Sequence, residues 1–210
     1  MKTAEQPLTA ARDRLIKAAG EIFGERGFRA GTIREITSRA GVNVAAVNYH
    51  FRDKEELYAA TLRHAIEATV NRDHQIDETL PPVEQLHHFI SNLLRQLLDP
   101  ARPAWHGQLM AREMMWPTRS LDLVVSELIQ PRIACFGRIV RSIAGPSISA
   151  RRLALLLASV LAQCAYYRQS APMVRRLFPE LLDAPDAIAE IALHITTFSA
   201  AGIRACAANH

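Results

Sequence analysis

Hydrogen-bonding side chains collect at one end of a short run of small apolar residues near the N-terminal end of the chain. Asn48, Tyr49 and His50 directly follow residues 44–47, whose small side chains would let the backbone approach another surface closely. Asparagine suits adenine in the major groove of DNA, and small apolar groups suit the thymine methyl group. Tyrosine and histidine can donate to phosphate oxygens. The pattern favours a helix that reads DNA.

A helix-turn-helix is the element that would present these side chains. Thr32 is a good N-cap for a first helix ending near Ala40, and Gly41 suits the turn after it. A second short helix is predicted over residues 42–50. Thr32 and Lys54 lie at helix N-termini, which attract phosphate. The predicted base contacts are Asn43, Val44, Ala45 and Asn48, and the predicted phosphate contacts are Thr32, Tyr49, His50 and Lys54.

Two stretches resemble the TetR family of transcriptional regulators. One is GVNVAAVNYHFRDKEEL, residues 41–57, and the other is RLIKAAGEIFGERGF, residues 14–28. Further along, REMMWPTRSLD and IQPR resemble the CecR-type subgroup. The resemblance implies the same phosphate-binding roles, a dimer joined through a four-helix interface, and a ligand pocket in the body of the protein.

Composition limits the other classes of function. Apolar residues make up 49% of the chain, charged residues 22%, and the net charge is +4, so a DNA-binding surface must be local. Three widely spaced cysteines argue against a disulfide framework. The N-terminus lacks the apolar core of a signal peptide, and the most apolar run, residues 153–165, is shorter than the roughly 20 residues of a membrane span. The chain is predicted to be cytoplasmic.

The rest of the chain predicts only helices, and the fold class is therefore all-α. Residues 8–54 are predicted to form the DNA-binding domain and residues 55–210 a larger ligand-binding and dimerisation domain. The predicted helices cover residues 9–26, 54–72, 83–98, 105–116, 121–144 with a bend at Pro131, 149–169 ended by Pro172, and 185–206.

A ligand pocket is predicted in the middle of the chain. Large adaptable apolar side chains concentrate there, and polar residues intrude at core spacing. Each polar residue taken alone is better explained as a hydrogen-bonded group within the core or at its edge. The pocket prediction depends on these residues taken together and on the family resemblance. The predicted lining is His87, Trp105, Met110, Met114, Arg132, Phe136, Gln163 and Tyr167.

A dimer is predicted because one DNA-binding domain contacts too few phosphates to bind tightly, whereas two such domains would read two half-sites. The last two long helices carry more apolar residues than one core needs, although packing within one chain accounts for part of each stripe. The predicted interface residues are Leu156, Val160, Ile188, Ile191, Ile195 and Phe198.

The sequence offers little sign of a catalytic, metal-binding or nucleotide-binding site. The cysteines and histidines lack the partners and spacing of a catalytic pair or a metal site, and no phosphate-binding glycine loop occurs. We predict no catalytic residue, metal or cofactor. The favoured function is a dimeric regulator, most simply a repressor, that binds a palindromic operator and is released by a small-molecule effector. A small all-α enzyme and a protein-interaction module remain the alternatives.

Overall fold

The computed structural model describes residues 5–70 and 77–208, and every regular element in these ranges is a helix. The all-α prediction is confirmed. Arg72, the predicted end of the fourth helix, lies outside the described residues. The helices are α1 Glu5–Ala30, α2 Ile33–Ala40, α3 Ala45–Phe51, α4 Lys54–Val70, α5 Pro82–Leu98, α6 Ala104–Met115, α7 Arg119–Val124, α8 Gln130–Ala144, α9 Ala150–Gln169, α10 Ala171–Leu177 and α11 Ala187–Ala208, with a π-helical turn Val125–Ile129 between α7 and α8.

The described residues form two compact units. The first contains α1 to α4 together with α6, α7 and the π-helical turn, and the second contains α5 and α8 to α11. The first unit therefore carries all the predicted DNA contacts and two helices from the middle of the chain. None of the described helices is both long enough and apolar enough to cross a membrane.

Helix α1 is the centre of the first unit, and α2, α4 and α6 all pack against it. Its apolar residues recur at helical spacing and are fully or nearly fully buried. Gly20 is essential to this packing, because a Cβ atom there would overlap the indole ring of Trp105 from α6. The buried residues of α1 are Leu15, Ile16, Ala18, Ala19, Ile22 and Phe23.

The C-terminal end of α1 is bent. Gly27 has a φ of 81° and a ψ of 170°, outside the helical region, and helical turns resume as far as Ala30. Only glycine adopts such a backbone conformation without strain. The predicted helix end at Arg26 marks this bend correctly, but the chain continues as a helix beyond it.

A buried polar cluster joins α6 and α7 to α4. Glu113 is fully buried, and its carboxylate accepts hydrogen bonds from the Tyr58 hydroxyl and, at 2.8 Å each, from the N–H and hydroxyl of Thr118. Arg112 donates from Nε to the carbonyl oxygen of Gly24 at 2.6 Å, which links α6 to α1. Buried carboxylates are tolerated only when they are hydrogen-bonded in this way.

The second unit packs α5 against α9 and α11 around an apolar core. Phe89 and Phe136 stack at its centre with ring centroids 4.2 Å apart. Polar side chains also enter this packing, and His87 Nδ1 lies 3.2 Å from the Thr196 hydroxyl oxygen. The buried apolar residues of this core cluster are Leu86, Phe89, Ile90, Leu94, Phe136, Ile139, Val140, Leu157, Val160, Cys164, Ile191, Ala192, Ile195, Ala200 and Ile203.

Two prolines act differently from simple helix breaks. Pro131 has no N–H and its ring crowds the carbonyl four residues earlier, and the widened π-helical turn that precedes it accommodates both. Pro172 lies in the first turn of α10, where the N–H that it lacks would have no helical partner. Residues 171–177 form a helix that was not among those predicted from the sequence.

Replacing Gly20 with alanine tests the contact between α1 and α6. Gly20→Ala should lower the free energy of unfolding by about 1–3 kcal/mol, since the new methyl group overlaps the Trp105 ring. Gly137→Ala is the matched control, because a Cβ there meets only Leu153 and Leu157 at 3.9 Å. The control should be neutral or stabilise the protein by up to about 1 kcal/mol. Urea unfolding followed by circular dichroism measures both, and equal effects would contradict the packing.

Candidate nucleic-acid interface

Helix α2 begins with a reciprocal cap. The Thr32 hydroxyl accepts from the Glu35 N–H at 3.2 Å, and the Glu35 carboxylate accepts from the Thr32 N–H at 3.2 Å. Hydrogen bonds from Thr32, the hydroxyl first, lower the pKa of Glu35. Arg26 forms an ion pair with the same carboxylate. At the other end Gly41 has a φ of 63°, so the predicted turn is confirmed.

Helix α3 has one buried face and one exposed face. Val47 and Phe51 are buried in the core of the first unit. Asn48 and Ala45 are exposed on the other side, and Tyr49 is 71% exposed. A seven-residue helix is not stable by itself, so burial of Val47 and Phe51 must hold it in place.

The helix begins at Ala45, later than the predicted Val42. The Asn43 side-chain oxygen accepts a hydrogen bond from the Ala45 N–H at 2.9 Å. Such a bond two residues along the chain stabilises a turn in place of the first helical turn. Asn43 therefore caps α3, and its amide nitrogen is the part of the side chain left to reach a base.

The aromatic end of α3 holds the predicted phosphate contacts together. The rings of Tyr49 and His50 meet edge to face with centroids 4.9 Å apart. Tyr49 is exposed and His50 is partly exposed, so both side chains reach solvent at the end of α3.

Lys54, the first residue of α4, is held inward. Its ammonium donates to the Arg29 carbonyl at 3.3 Å and lies 4.7 Å from the centre of the Phe28 ring. Partial burial lowers its pKa. A phosphate contact by Lys54 therefore requires the side chain to turn away from Arg29 or to reach past it.

Arg52 is a candidate phosphate contact that the sequence analysis missed. It is the centre of a γ-turn with φ 61° and ψ −53°, closed by a 2.6 Å hydrogen bond from the Asp53 N–H to the Phe51 carbonyl. Its side chain is 81% exposed and pairs with Glu56 at 3.1 Å. The sequence signal for this contact is a positively charged residue between the aromatic residues that end α3 and the start of α4. Strained backbone of this kind clusters at functional sites.

Comparison with known proteins agrees with this geometry. Residues 15–61 match the family described as "Bacterial regulatory proteins, tetR family". Residues 82–203, more than half of the chain, match the C-terminal domain of the HTH-type transcriptional dual regulator CecR. The chain belongs to the TetR family. Its C-terminal part is of the CecR type, as the sequence resemblance predicted.

Two relatives and one solved structure illustrate the extent of this likeness. CecR of Shigella flexneri is 28% identical over 173 residues, which are 75% of each chain. The repressor KstR2 of Mycolicibacterium smegmatis is 34% identical over 85 residues, 40% of this chain and 41% of that one. A putative transcriptional regulator from Pseudomonas aeruginosa PAO1 shares the fold, with a TM-score of 0.69 at 19% identity over 92% of this chain and 90% of that chain.

Membership of the TetR family confirms that the chain is a DNA-binding transcriptional regulator and not an enzyme. No group of three His, Cys, Asp or Glu side chains among the described residues is arranged to hold a metal ion. Cys164 is fully buried, and burial raises its pKa to about 12, so it is a poor nucleophile.

The predicted pocket residues fall in both units. Trp105, Met110 and Met114 belong to the first unit, where Trp105 is buried against α1 and Met114 is 63% exposed. His87, Arg132, Phe136, Gln163 and Tyr167 belong to the second unit. There Arg132 donates to the Gln96 side-chain oxygen at 3.2 Å, and Gln163 donates to the Ser199 hydroxyl at 3.2 Å.

The predicted dimer residues divide by burial. Val160, Ile191 and Ile195 are buried in the core of the second unit, so packing within one chain accounts for them. Leu156 and Ile188 are half-buried. Phe198 is 65% exposed, and Leu155 and Leu193, which the sequence analysis did not single out, are 56% and 61% exposed.

The cap formed by Asn43 is testable by stability alone. Asn43→Ala should lower the free energy of unfolding by about 0.5–2 kcal/mol, because the Ala45 N–H loses its acceptor. Asn43→Asp keeps the acceptor oxygen and should unfold within a few tenths of a kcal/mol of the wild type. Thermal denaturation of both variants without DNA is the measurement, and equal losses would rule out the cap.

Proposed function

We propose that the chain inserts α3 into the major groove of DNA. The observation that carries this proposal is the two-sided character of α3, which buries Val47 and Phe51 and exposes Ala45 and Asn48. A helix fixed from behind with small and amide side chains in front can approach base edges closely. Val44, 48% exposed, and the amide nitrogen of Asn43 extend the same face.

Side chains at both ends of this face would hold the DNA backbone. Thr32 lies at the N-terminus of α2, while Tyr49 and His50 end α3. Arg52 and Lys54 add positive charge beside them. Contacts of this type fix register and orientation, and they make affinity depend on salt concentration.

We propose the same functional domains as the sequence predicts, with DNA reading by residues 8–54 and regulation and dimerisation by residues 55–210. The compact first unit extends beyond that boundary, because α4, α6 and α7 pack with α1. These helices give the regulatory part of the chain direct contact with the DNA-reading part. A regulator of this kind acts on DNA in the cytoplasm.

Dimerisation is proposed through the exposed apolar residues of α9 and α11. Leu155 on α9 and Leu193 and Phe198 on α11 leave large apolar side chains in solvent, which a partner would cover. Leu156 and Ile188 add half-buried surface beside them. Two linked heads would read a palindromic operator, whose half-sites mirror the two-fold symmetry of the dimer.

The effector site is proposed in the second unit. Arg132 and Gln96 lie partly buried on neighbouring helices, and the Gln96 side-chain nitrogen is buried with no hydrogen-bond partner among the described residues. Burial also lowers the pKa of Arg132. A polar group of a ligand would satisfy both side chains. A ligand that binds more tightly to the state of the dimer that cannot bind DNA would release the operator. The KstR2 relative is a repressor, which favours repression as the direction of regulation.

Arg52→Gln and Asn48→Ala separate backbone contacts from base contacts. Arg52→Gln should weaken binding to every duplex alike and reduce the slope of log affinity against log salt by about 0.9, because one phosphate loses its cation. Asn48→Ala should cost about 1–3 kcal/mol on the preferred duplex and nothing on random DNA.

Fluorescence anisotropy across a salt series, on a duplex selected from a random pool, measures both variants. Arg141→Gln, an exposed arginine of α8 in the second unit, is the matched control and should leave the slope unchanged. An unchanged slope for Arg52→Gln would contradict its assignment, and failure of selection to enrich any duplex would contradict DNA reading by α3.

A charge placed on the exposed face of α11 tests the dimer. The double substitution of Leu193 and Phe198 by glutamate should convert a dimer to a monomer, since each partner would then bury unpaired charge. Leu123→Glu is the control, because Leu123 is similarly exposed on α7 in the first unit. Analytical ultracentrifugation gives the mass of each, and a double variant that stays dimeric would exclude this face.

A further inference from the structure

A cavity of about 770 Å³ lies within the first unit. The C-terminal end of α1, the first two turns of α4 and the connection from α6 to α7 surround it. Its volume is in the range of small-molecule sites. It is separate from the residues of the second unit where the effector is proposed.

Positive charge dominates the lining. Four arginines face the cavity, against the single carboxylate of Glu55. Arg112 is occupied by the carbonyl oxygens of Gly24 and Glu25. The guanidinium groups of Arg29 and Arg119 are exposed, with no hydrogen bond or ion pair to any described residue. They are free to bind an anion.

The acidic group behind the cavity already has its hydrogen-bond partners. Glu113 is fully buried, and its two oxygens accept three hydrogen bonds from Tyr58 and Thr118. Burial, with the bond to Glu113 next, raises the pKa of Tyr58, so its hydroxyl stays protonated as a donor. These groups therefore need no ligand to complete their hydrogen bonds, and the arginines are the groups left to bind one.

Aromatic side chains form part of the remaining lining. Phe28 and Tyr58 meet edge to face with ring centroids 4.9 Å apart, and Trp116 is 62% exposed at the rim. Flat apolar groups bind against such rings, and guanidinium groups beside them pair with carboxylate or sulfonate oxygens. A recessed, aromatic-lined cavity suits a small molecule better than a duplex backbone, whose phosphates are met by protruding side chains.

Arg26 connects this cavity to α2. It lines the cavity and also binds the Glu35 carboxylate, which completes the cap with Thr32. The ion pair is solvent-exposed, with 52% and 39% of the two side chains accessible, so it is weak enough for another anion to displace.

We propose that this cavity binds a small organic anion, a carboxylate or sulfonate attached to a flat aromatic group, and that the anion competes with Glu35 for Arg26. The binding step is independent of the proposed DNA function, because it requires only the arginines and rings of the first unit.

The probe is 1-naphthoate, and the reporter is the indole N–H of Trp116 in two-dimensional NMR of the full chain. The chain has two tryptophans, so Trp116→Phe assigns the two indole signals. We expect a saturable shift of the Trp116 signal on titration with 1-naphthoate, and at least about tenfold weaker binding of uncharged 1-naphthalenemethanol. Absence of the Trp116 shift, or equal binding of the two compounds, would overturn the proposal.

Substitutions locate the site. Arg119→Gln should raise the half-saturation concentration at least about tenfold, whereas Arg141→Gln on α8 should not change it. If Arg132→Gln weakens binding and Arg119→Gln does not, the anion binds in the second unit and the proposal fails. It also fails if Arg119→Gln reduces the salt slope of duplex binding and leaves the naphthoate titration unchanged, because the arginines then serve DNA phosphates.

Competition for Arg26 has its own test. Glu35→Gln removes the rival carboxylate and should tighten 1-naphthoate binding by about two- to fivefold. Glu21→Gln is the matched control, since Glu21 lies on α1 and pairs with Arg39 at 3.7 Å. Equal effects of the two substitutions would show that only general charge matters, and would overturn the competition.

Discussion

The orientation of α3 depends on the burial of two side chains. A seven-residue helix forms too few hydrogen bonds to persist alone, and Val47 and Phe51 hold it against the core of the first unit. Because residues three and four apart share a helix face, fixing these two also fixes Ala45 and Asn48 on the opposite side. Precision in the proposed base reading would therefore be a consequence of core packing.

The same core extends into the regulatory part of the chain. Trp105 packs on the α1 surface that Gly20 leaves open, and Arg112 binds the α1 carbonyl of Gly24. Glu113 bridges α4 and Thr118 at the start of α7. Movement of α6 or α7 would thus act directly on the two helices that flank the helix-turn-helix, without a long chain of intermediate contacts.

Features set by neighbouring residues were predictable from sequence. The Thr32 cap, the Gly41 turn and the break at Gly27 each depend on a few adjacent positions, and all appear in the structure. The shorter α3 follows from a local competition that periodicity does not show, because Asn43 bonds the Ala45 N–H and delays the helix. Sequence spacing could not show that Trp105 fills the space left by Gly20, since those residues are distant in the chain. For the same reason an apolar stripe on α11 could not be divided into core residues such as Ile195 and exposed ones such as Phe198.

The ion pair of Arg26 with Glu35 is a weak contact in the first unit that a bound ligand could break. Glu35 serves two partners at once, the cap at Thr32 and the guanidinium of Arg26. Loss of Arg26 to a bound anion would leave the cap intact and remove one ion pair between α1 and α2. Arg39 of α2 would still pair with Glu21 and Glu25 of α1. Thr32 is the proposed phosphate contact at the start of α2, so an anion in the cavity would act close to the bound DNA. The proposed effector in the second unit would act through the dimer. Two ligands at different distances from the DNA would then influence the same pair of DNA-binding domains. By linkage, DNA would change the affinity of each ligand by the same factor as that ligand changes the affinity for DNA.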